Sequence, residues 1–236
     1  KQLTVKPTGA LSQPDSTYPG FTPTMPDPYK VPTLDEVLGF LKNYNTANGT
    51  SVGIYPEAKA PFDSVKEQKI IASLKDNGFT TAADKVILQS FAYQSVANLT
   101  DLLDMNDMEA EVAQLGSVRL QNGVYGVNGS DGFWSLDQIA SVATGVGVSY
   151  TGITEDFIKA AHNLGLKVHA YTFRPLKEDE AFAMIQPMLD WGLDGFFTDY
   201  TDLGRTVVDA NAPAPVPLPA AAPLLLAEIS SSVSLV

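Results

Sequence analysis

Glu57 and Lys59 close an apolar run, SVGIYPEAKAP over residues 51–61, two positions apart and opposite in charge. In a strand, residues i and i+2 project from one face, so the two side chains share one environment. One reading is an exposed ion pair at a strand end, worth little to stability. The other is functional, with the carboxylate and ammonium set in one pocket. Polar residues recur where other apolar runs end: Gln89 and Ser90, Gln114, Tyr150, Tyr171 and Arg174, and Thr198 and Asp199. Arg174, just before Pro175, reaches either an anion or its neighbours Glu178 and Asp179. The chain has two histidines. His169 alternates with Val168 and Ala170, as a core or supporting side chain would. His162 lies in the last turn of a helix, where the dipole favours a partly exposed imidazole. The acids Asp101, Asp104, Asp107, Glu109 and Glu111 lack the spacing and turn glycine of a calcium loop, and read as a solvated face.

Composition narrows the partners. The 236 residues are 44% hydrophobic and 18% charged, which suits one α/β domain with a sizeable core. A formal net charge of -12 argues against nucleic acid or an anionic membrane as partner. An anionic substrate then needs local compensation, by a metal cation or a few placed Lys and Arg side chains. The absence of cysteine excludes disulfides, thiolate zinc sites and cysteine nucleophiles. It fits the cytoplasm or an export route without disulfide handling. The first residue is Lys and no signal peptide follows it, so an N-terminal stretch is expected to be missing.

These residues need strands to carry them. PTLDEVLGFLKNY predicts a helix from Thr33, with Glu36 completing a capping box. Strands are expected at 52–57, 85–91, 109–116, 145–150, 167–173 and 194–199. Helices are expected near 64–77, 92–104, 135–143, 154–165, 177–191 and 201–209, and the Gly- and Asn-rich stretch NGVYGVNGSDG reads as a loop. Strands alternating with helices indicate a parallel sheet. Polar strand ends and the lack of any nucleotide loop favour a TIM (β/α)8 barrel, whose catalytic side chains gather at that rim. Six βα units are present, so the first two strands are expected to be missing.

GIYPEAKAP, KVILQSF, GLKVHAYTFR and GLDGFFTDYTD, in this order, resemble the glycerophosphodiester phosphodiesterase family, in its exported, periplasmic-type branch. PGF and PTLDEVL fit the same pattern, and the resemblance covers residues 1 to about 209. It implies a TIM barrel that hydrolyses glycerophosphodiesters to glycerol 3-phosphate and an alcohol, with a divalent cation, Ca2+ ahead of Mg2+. It implies Glu57 as a metal ligand, Lys59 near the substrate phosphate and Tyr171 bordering the glycerol or alcohol group. Arg174 is expected as a further substrate contact where it does not pair with its acidic neighbours, and Gln89, His169 and Asp199 are expected as supporting residues. The substrate would be a small phosphodiester such as glycerophosphocholine.

The departures are as informative. The family's His-Arg-Gly strand, Glu-x-Asp pair and His-Asp dipeptide are absent, and with them its acid–base histidines and the rest of its metal site. The chain therefore reads as the C-terminal two-thirds of an enzyme, inactive as it stands. The alternative is a barrel without turnover, kept as a surface binding domain. Residues 1–32 read as an irregular segment belonging to the barrel and 33–209 as the barrel itself. Residues 210–236 read as an Ala/Pro-rich linker with an apolar tail, too short and Pro-broken to span a bilayer. VPLPA within that tail resembles a C-terminal sorting signal, in keeping with a bacterial exported, periplasmic or cell-surface protein.

Overall fold

Thr33 starts the first helix as its sequence requires. Its hydroxyl accepts the Glu36 N–H at 3.3 Å, and the Glu36 carboxylate accepts the Thr33 N–H at 2.8 Å. The computed structural model describes residues 31–212. The expected irregular segment, apart from its last two residues, and the apolar tail from residue 213 lie outside that span. The described helices are α1 Leu34–Asn48, α2 Ser64–Asp76, α3 Tyr93–Met105, α4 Leu136–Ala140, α5 Glu155–Asn163, α6 Glu178–Asp190 and α7 Thr201–Asn211. The strands are β1 Ile87–Ser90, β2 Glu111–Gln121, β3 Val124–Gly129, β4 Gly132–Ser135, β5 Gly145–Ser149, β6 Lys167–Phe173 and β7 Gly195–Thr198. Among the described residues no helix is long and apolar enough to cross a membrane.

β1, β2, β5, β6 and β7 pair in parallel in that order. Ahead of β1 runs an extended segment, 54–57, joined to it only by bridges from Ile54 to Val86 and from Glu57 to Gln89. Pro56 accounts for the thinness of this pairing: its carbonyl accepts the Gln89 N–H at 3.0 Å, but it has no N–H to return. Five interstrand steps in a flat sheet would put this segment about 24 Å from β7. Instead the Tyr55 and Phe197 rings lie 4.9 Å apart, centroid to centroid. The sheet is therefore rolled, with its two ends meeting through side chains. Among the described residues, no backbone pairing joins β7 to the 54–57 segment.

Alternation along each strand sorts the side chains. Val112, Val146, Val148, Val168 and Ala170 are buried on the outer face, among side chains from the helices. Tyr55, Glu57, Gln89, Leu115, His169, Tyr171 and Phe197 belong to the inner face. β5 supplies glycine there: a Cβ on Gly147 would lie 2.5 Å from Leu115 Cδ2, so Leu115 fills the space that Gly147 leaves.

Two expectations fail. The strand expected at 52–57 is present only as isolated bridges at Ile54 and Glu57. The Gly- and Asn-rich stretch after residue 116 is not a loop but an antiparallel meander, with β2 running on to Gln121 and pairing with β3, which pairs with β4. Asn122 and Gly123 have φ of 53° and 79°, the left-handed pair that a tight hairpin turn needs.

Candidate active site

Two hollows meet at the C-terminal ends of the strands, and Glu57 and Phe91 line both. The inner one, about 230 Å³, is closed by Gln89, Leu115, Tyr171, Thr172 and Phe197. The outer one, about 420 Å³, is bordered by Lys59, Ala60, Gly116, Ser117 and the Asn128–Ser130 turn. Lys59 Nζ stands 3.5 Å from Glu57 Oε2, with side chains 77% and 22% exposed respectively. The carboxylate is largely buried while the ammonium stands mostly in solvent. Tyr171 donates to the Gly116 carbonyl at 2.7 Å and packs edge-on to Phe91. Burial, and then the Glu57 charge, raise its hydroxyl pKa, so Tyr171 is a neutral donor here and not a proton acceptor.

Gln89 is almost fully buried and donates to the Tyr55 carbonyl at 3.4 Å, which steadies the segment carrying Glu57. Gln114 faces away from the barrel interior, fully buried, with its amide nitrogen donating to the Phe91 and Leu115 carbonyls. Ser130 N–H reaches the same Phe91 carbonyl at 2.7 Å, so the meander is tied back over the site. Arg174 pairs not with Glu178 or Asp179 but with Asp199, at 2.6 Å, and neither residue lines the two hollows.

His169 lies deeper, with Nδ1 2.9 Å from the Tyr55 hydroxyl. Burial lowers its pKa against smaller opposing effects of Asp194 and Glu111, and burial likewise lifts that of Tyr55. The folded state thus holds His169 neutral, where the unfolded chain takes up a proton near pH 6.5. Stability from this group is present above that pH and is lost as pH falls through it. Thermal melts from pH 7.5 to 5 are expected to show a steeper acid decline in the wild type than in His169→Asn; parallel declines would contradict the assignment. His162 sits apart, 2.9 Å from Asp194.

The donor set near Glu57 does not fit a complete cation site. Glu57 offers at most two oxygens where Ca2+ takes six to eight, and its outer oxygen faces an ammonium. Among the described residues no three His, Cys, Asp or Glu side chains group as metal ligands. Glu57 fits as one ligand and no more.

The profile of the glycerophosphoryl diester phosphodiesterase family matches residues 12–203. The chain belongs to that family. A glycerophosphodiester phosphodiesterase of Bacillus subtilis is 31% identical over 183 residues, covering 75% of this chain and 54% of the relative. Another from Haemophilus influenzae is 25% identical over 222 residues, covering 79% and 61%. The chain thus spans little more than half the length of these relatives. Among solved structures, an Oleispira antarctica phosphodiesterase in complex with the product sn-glycerol-3-phosphate superposes with a TM-score of 0.54 at 16% identity, covering 75% of this chain and 61% of that one. The rolled parallel sheet is accordingly that of a TIM barrel. Of the expected site residues, Glu57, Lys59, Gln89 and Tyr171 come together, and His169, Arg174 and Asp199 lie outside the hollows. Phe91, Gly116, Ser117 and the Asn128–Ser130 turn were not anticipated. The Asn122-Gly123 pair between alternating apolar residues was the signal for the meander that brings several of them in.

Proposed function

We propose that this protein takes part in hydrolysis of glycerophosphodiesters to glycerol 3-phosphate and an alcohol, with the phosphodiester seated against Glu57 and Lys59. The observation that carries this is the 3.5 Å pair at the rim, set into two joined hollows, in a chain of this family. A phosphodiester is singly negative and gains charge as it is attacked, so an ammonium against its oxygens stabilises the transition state more than the ground state. Phe91 and Tyr171 line the inner hollow, and the Tyr171 hydroxyl is held by the Gly116 carbonyl, which fixes that wall. Arg174 and Asp199, paired at the strand ends, are proposed to bound the far side of the substrate path.

A divalent cation, Ca2+ before Mg2+, would supply charge neutralisation at the phosphate, with Glu57 as one ligand. Its other ligands and the acid–base histidines are proposed to lie in an N-terminal part preceding this chain. Export to the periplasm or cell surface belongs to the same proposal, supported by the resemblance to exported members. A binding barrel without turnover is the second reading, favoured by one observation: among the described residues, no histidine lines either hollow.

The deciding experiment measures sn-glycerol 3-phosphate released from glycerophosphocholine by the protein purified from its source. Product is expected, and Lys59→Ala is expected to lower kcat/KM about 10- to 100-fold, the size of one charge-assisted contact. No product across Ca2+ and Mg2+ titrations would favour the binding barrel.

A further inference from the structure

Glu57 and Tyr171 both line the inner hollow, but they stand on segments that are held very differently. Tyr171 belongs to β6, which pairs with β5 on one side and β7 on the other. Glu57 belongs to the 54–57 segment, whose backbone bonds among the described residues all run to one side. Ile54 and Ala58 donate to the Lys85 and Gln89 carbonyls at 3.2 and 2.9 Å, and the Ile54 and Pro56 carbonyls accept from Ile87 and Gln89. Below the rim the two segments are joined directly. Tyr55 stands two residues before Glu57 and His169 two before Tyr171, and the Tyr55 hydroxyl lies 2.9 Å from His169 Nδ1. The surrounding side chains fit this pair. Phe197, which lines the inner hollow, meets the Tyr55 ring edge-on at 4.9 Å. Gly195 pairs with His169 across β6 and β7, and a Cβ there would lie 3.0 Å from the imidazole, so the ring uses the space that the glycine leaves.

We propose that the Tyr55–His169 hydrogen bond is a strut across the barrel interior that sets the width of the inner hollow, which makes Tyr55 and His169 positioning residues for Glu57. Barrel interiors are filled by layers of inward side chains, mostly branched and apolar. Such a layer would fill the same space but would let the weakly paired 54–57 segment shift against β6. A hydrogen bond is selective in both distance and direction, so it ties the loose segment to the doubly paired strand at one separation. The Glu57 carboxylate, two residues on, takes its place from that tie. A displacement of about 1 Å at a site can cost on the order of a hundredfold in rate. The inference rests on the phosphodiesterase reading for its catalytic consequence, while the hold on the segment stands on its own geometry.

Tyr55→Phe, His169→Leu and the double variant of the full-length protein separate a strut from ordinary packing. Each single variant leaves one polar partner without its bond and loses stability, whereas the double variant leaves none and is expected to regain part of that loss. Activity is expected to diverge from stability: kcat/KM for glycerophosphocholine falls about 10- to 100-fold in all three, mainly through kcat. Hydrogen exchange at the Ala58 amide, which is bonded to the Gln89 carbonyl, reports on the segment itself. It is expected to quicken at least about tenfold in the double variant, the size of one lost hydrogen bond. The Val168 amide on β6, bonded to Asp194, is the control and should not change. Faster exchange at Ala58 with no product from the wild type would end the phosphodiesterase reading and leave the strut standing. Unchanged exchange at Ala58 in the double variant overturns the strut. So does turnover that stays at the wild-type level or returns together with stability, because packing alone gives that result.

Discussion

Glu57→Gln is expected to lower kcat/KM of the full-length protein by on the order of 10²–10³, the range seen when one preorganised electrostatic group is removed from an active site. Gln keeps the shape and removes the charge, so packing around the two hollows is preserved. Stability should hardly move, because the pair with a 77% exposed Lys59 is a surface ion pair and such pairs contribute about 0–1 kcal/mol. The melting temperature is therefore expected to shift by no more than a few degrees while turnover collapses. If Glu57 holds a cation, the variant will also need more Ca2+ for half-maximal activity. A drop of only a few-fold, at an unaltered Ca2+ requirement, would reduce Glu57 to a partner that parks Lys59 between turnovers. Loss of activity together with a large loss of stability would point instead to a structural carboxylate.

Much of the frame was legible because its signals are local. Thr33 and Glu36 announce a helix start whatever surrounds them, and the apolar runs ending in Gln89, Tyr171 and Thr198 fall where strands lie. Glu57 and Lys59 also meet at one hollow, although Glu57 forms only an isolated bridge and Lys59 lies beyond it, outside any strand. What was not legible depends on the return of distant chain. Arg174 has acids four and five residues ahead, yet its partner is Asp199, 25 residues on, because β6 and β7 are neighbours and end at the same rim. Tyr171 was expected to border the substrate, and its bond to Gly116 could not be read from either stretch alone. The meander was misread for a different reason: its glycines look like loop, but Gly116, Gly126 and Gly129 are there because neighbouring backbone leaves no room for a side chain.

That crowding sets the largest stability effect expected here, at Gly116. A Cβ at this position would stand 2.4 Å from the Asn128 carbonyl oxygen and 2.6 Å from Val127 Cγ1. The oxygen belongs to backbone in the β2–β3 ladder, where Ser117 faces Asn128, so relief requires the two strands to separate. Overpacking a rigid site costs about 1–3 kcal/mol, and lost ladder bonds add to it. Gly116→Ala is expected to cost roughly 3 kcal/mol, or about 6–12 °C in melting temperature for a domain of this size. Gly147→Ala is the control. Its Cβ would meet only the end of the Leu115 side chain, which can rotate aside, so a cost of about 1 kcal/mol is expected. The activity consequence also differs: Gly116 carries the carbonyl that fixes Tyr171 and lies beside the turn bordering the outer hollow. Its variant should raise KM for a phosphodiester even at temperatures where it is fully folded. If Gly147→Ala proves the more damaging of the two, backbone crowding is not what holds the meander against the barrel.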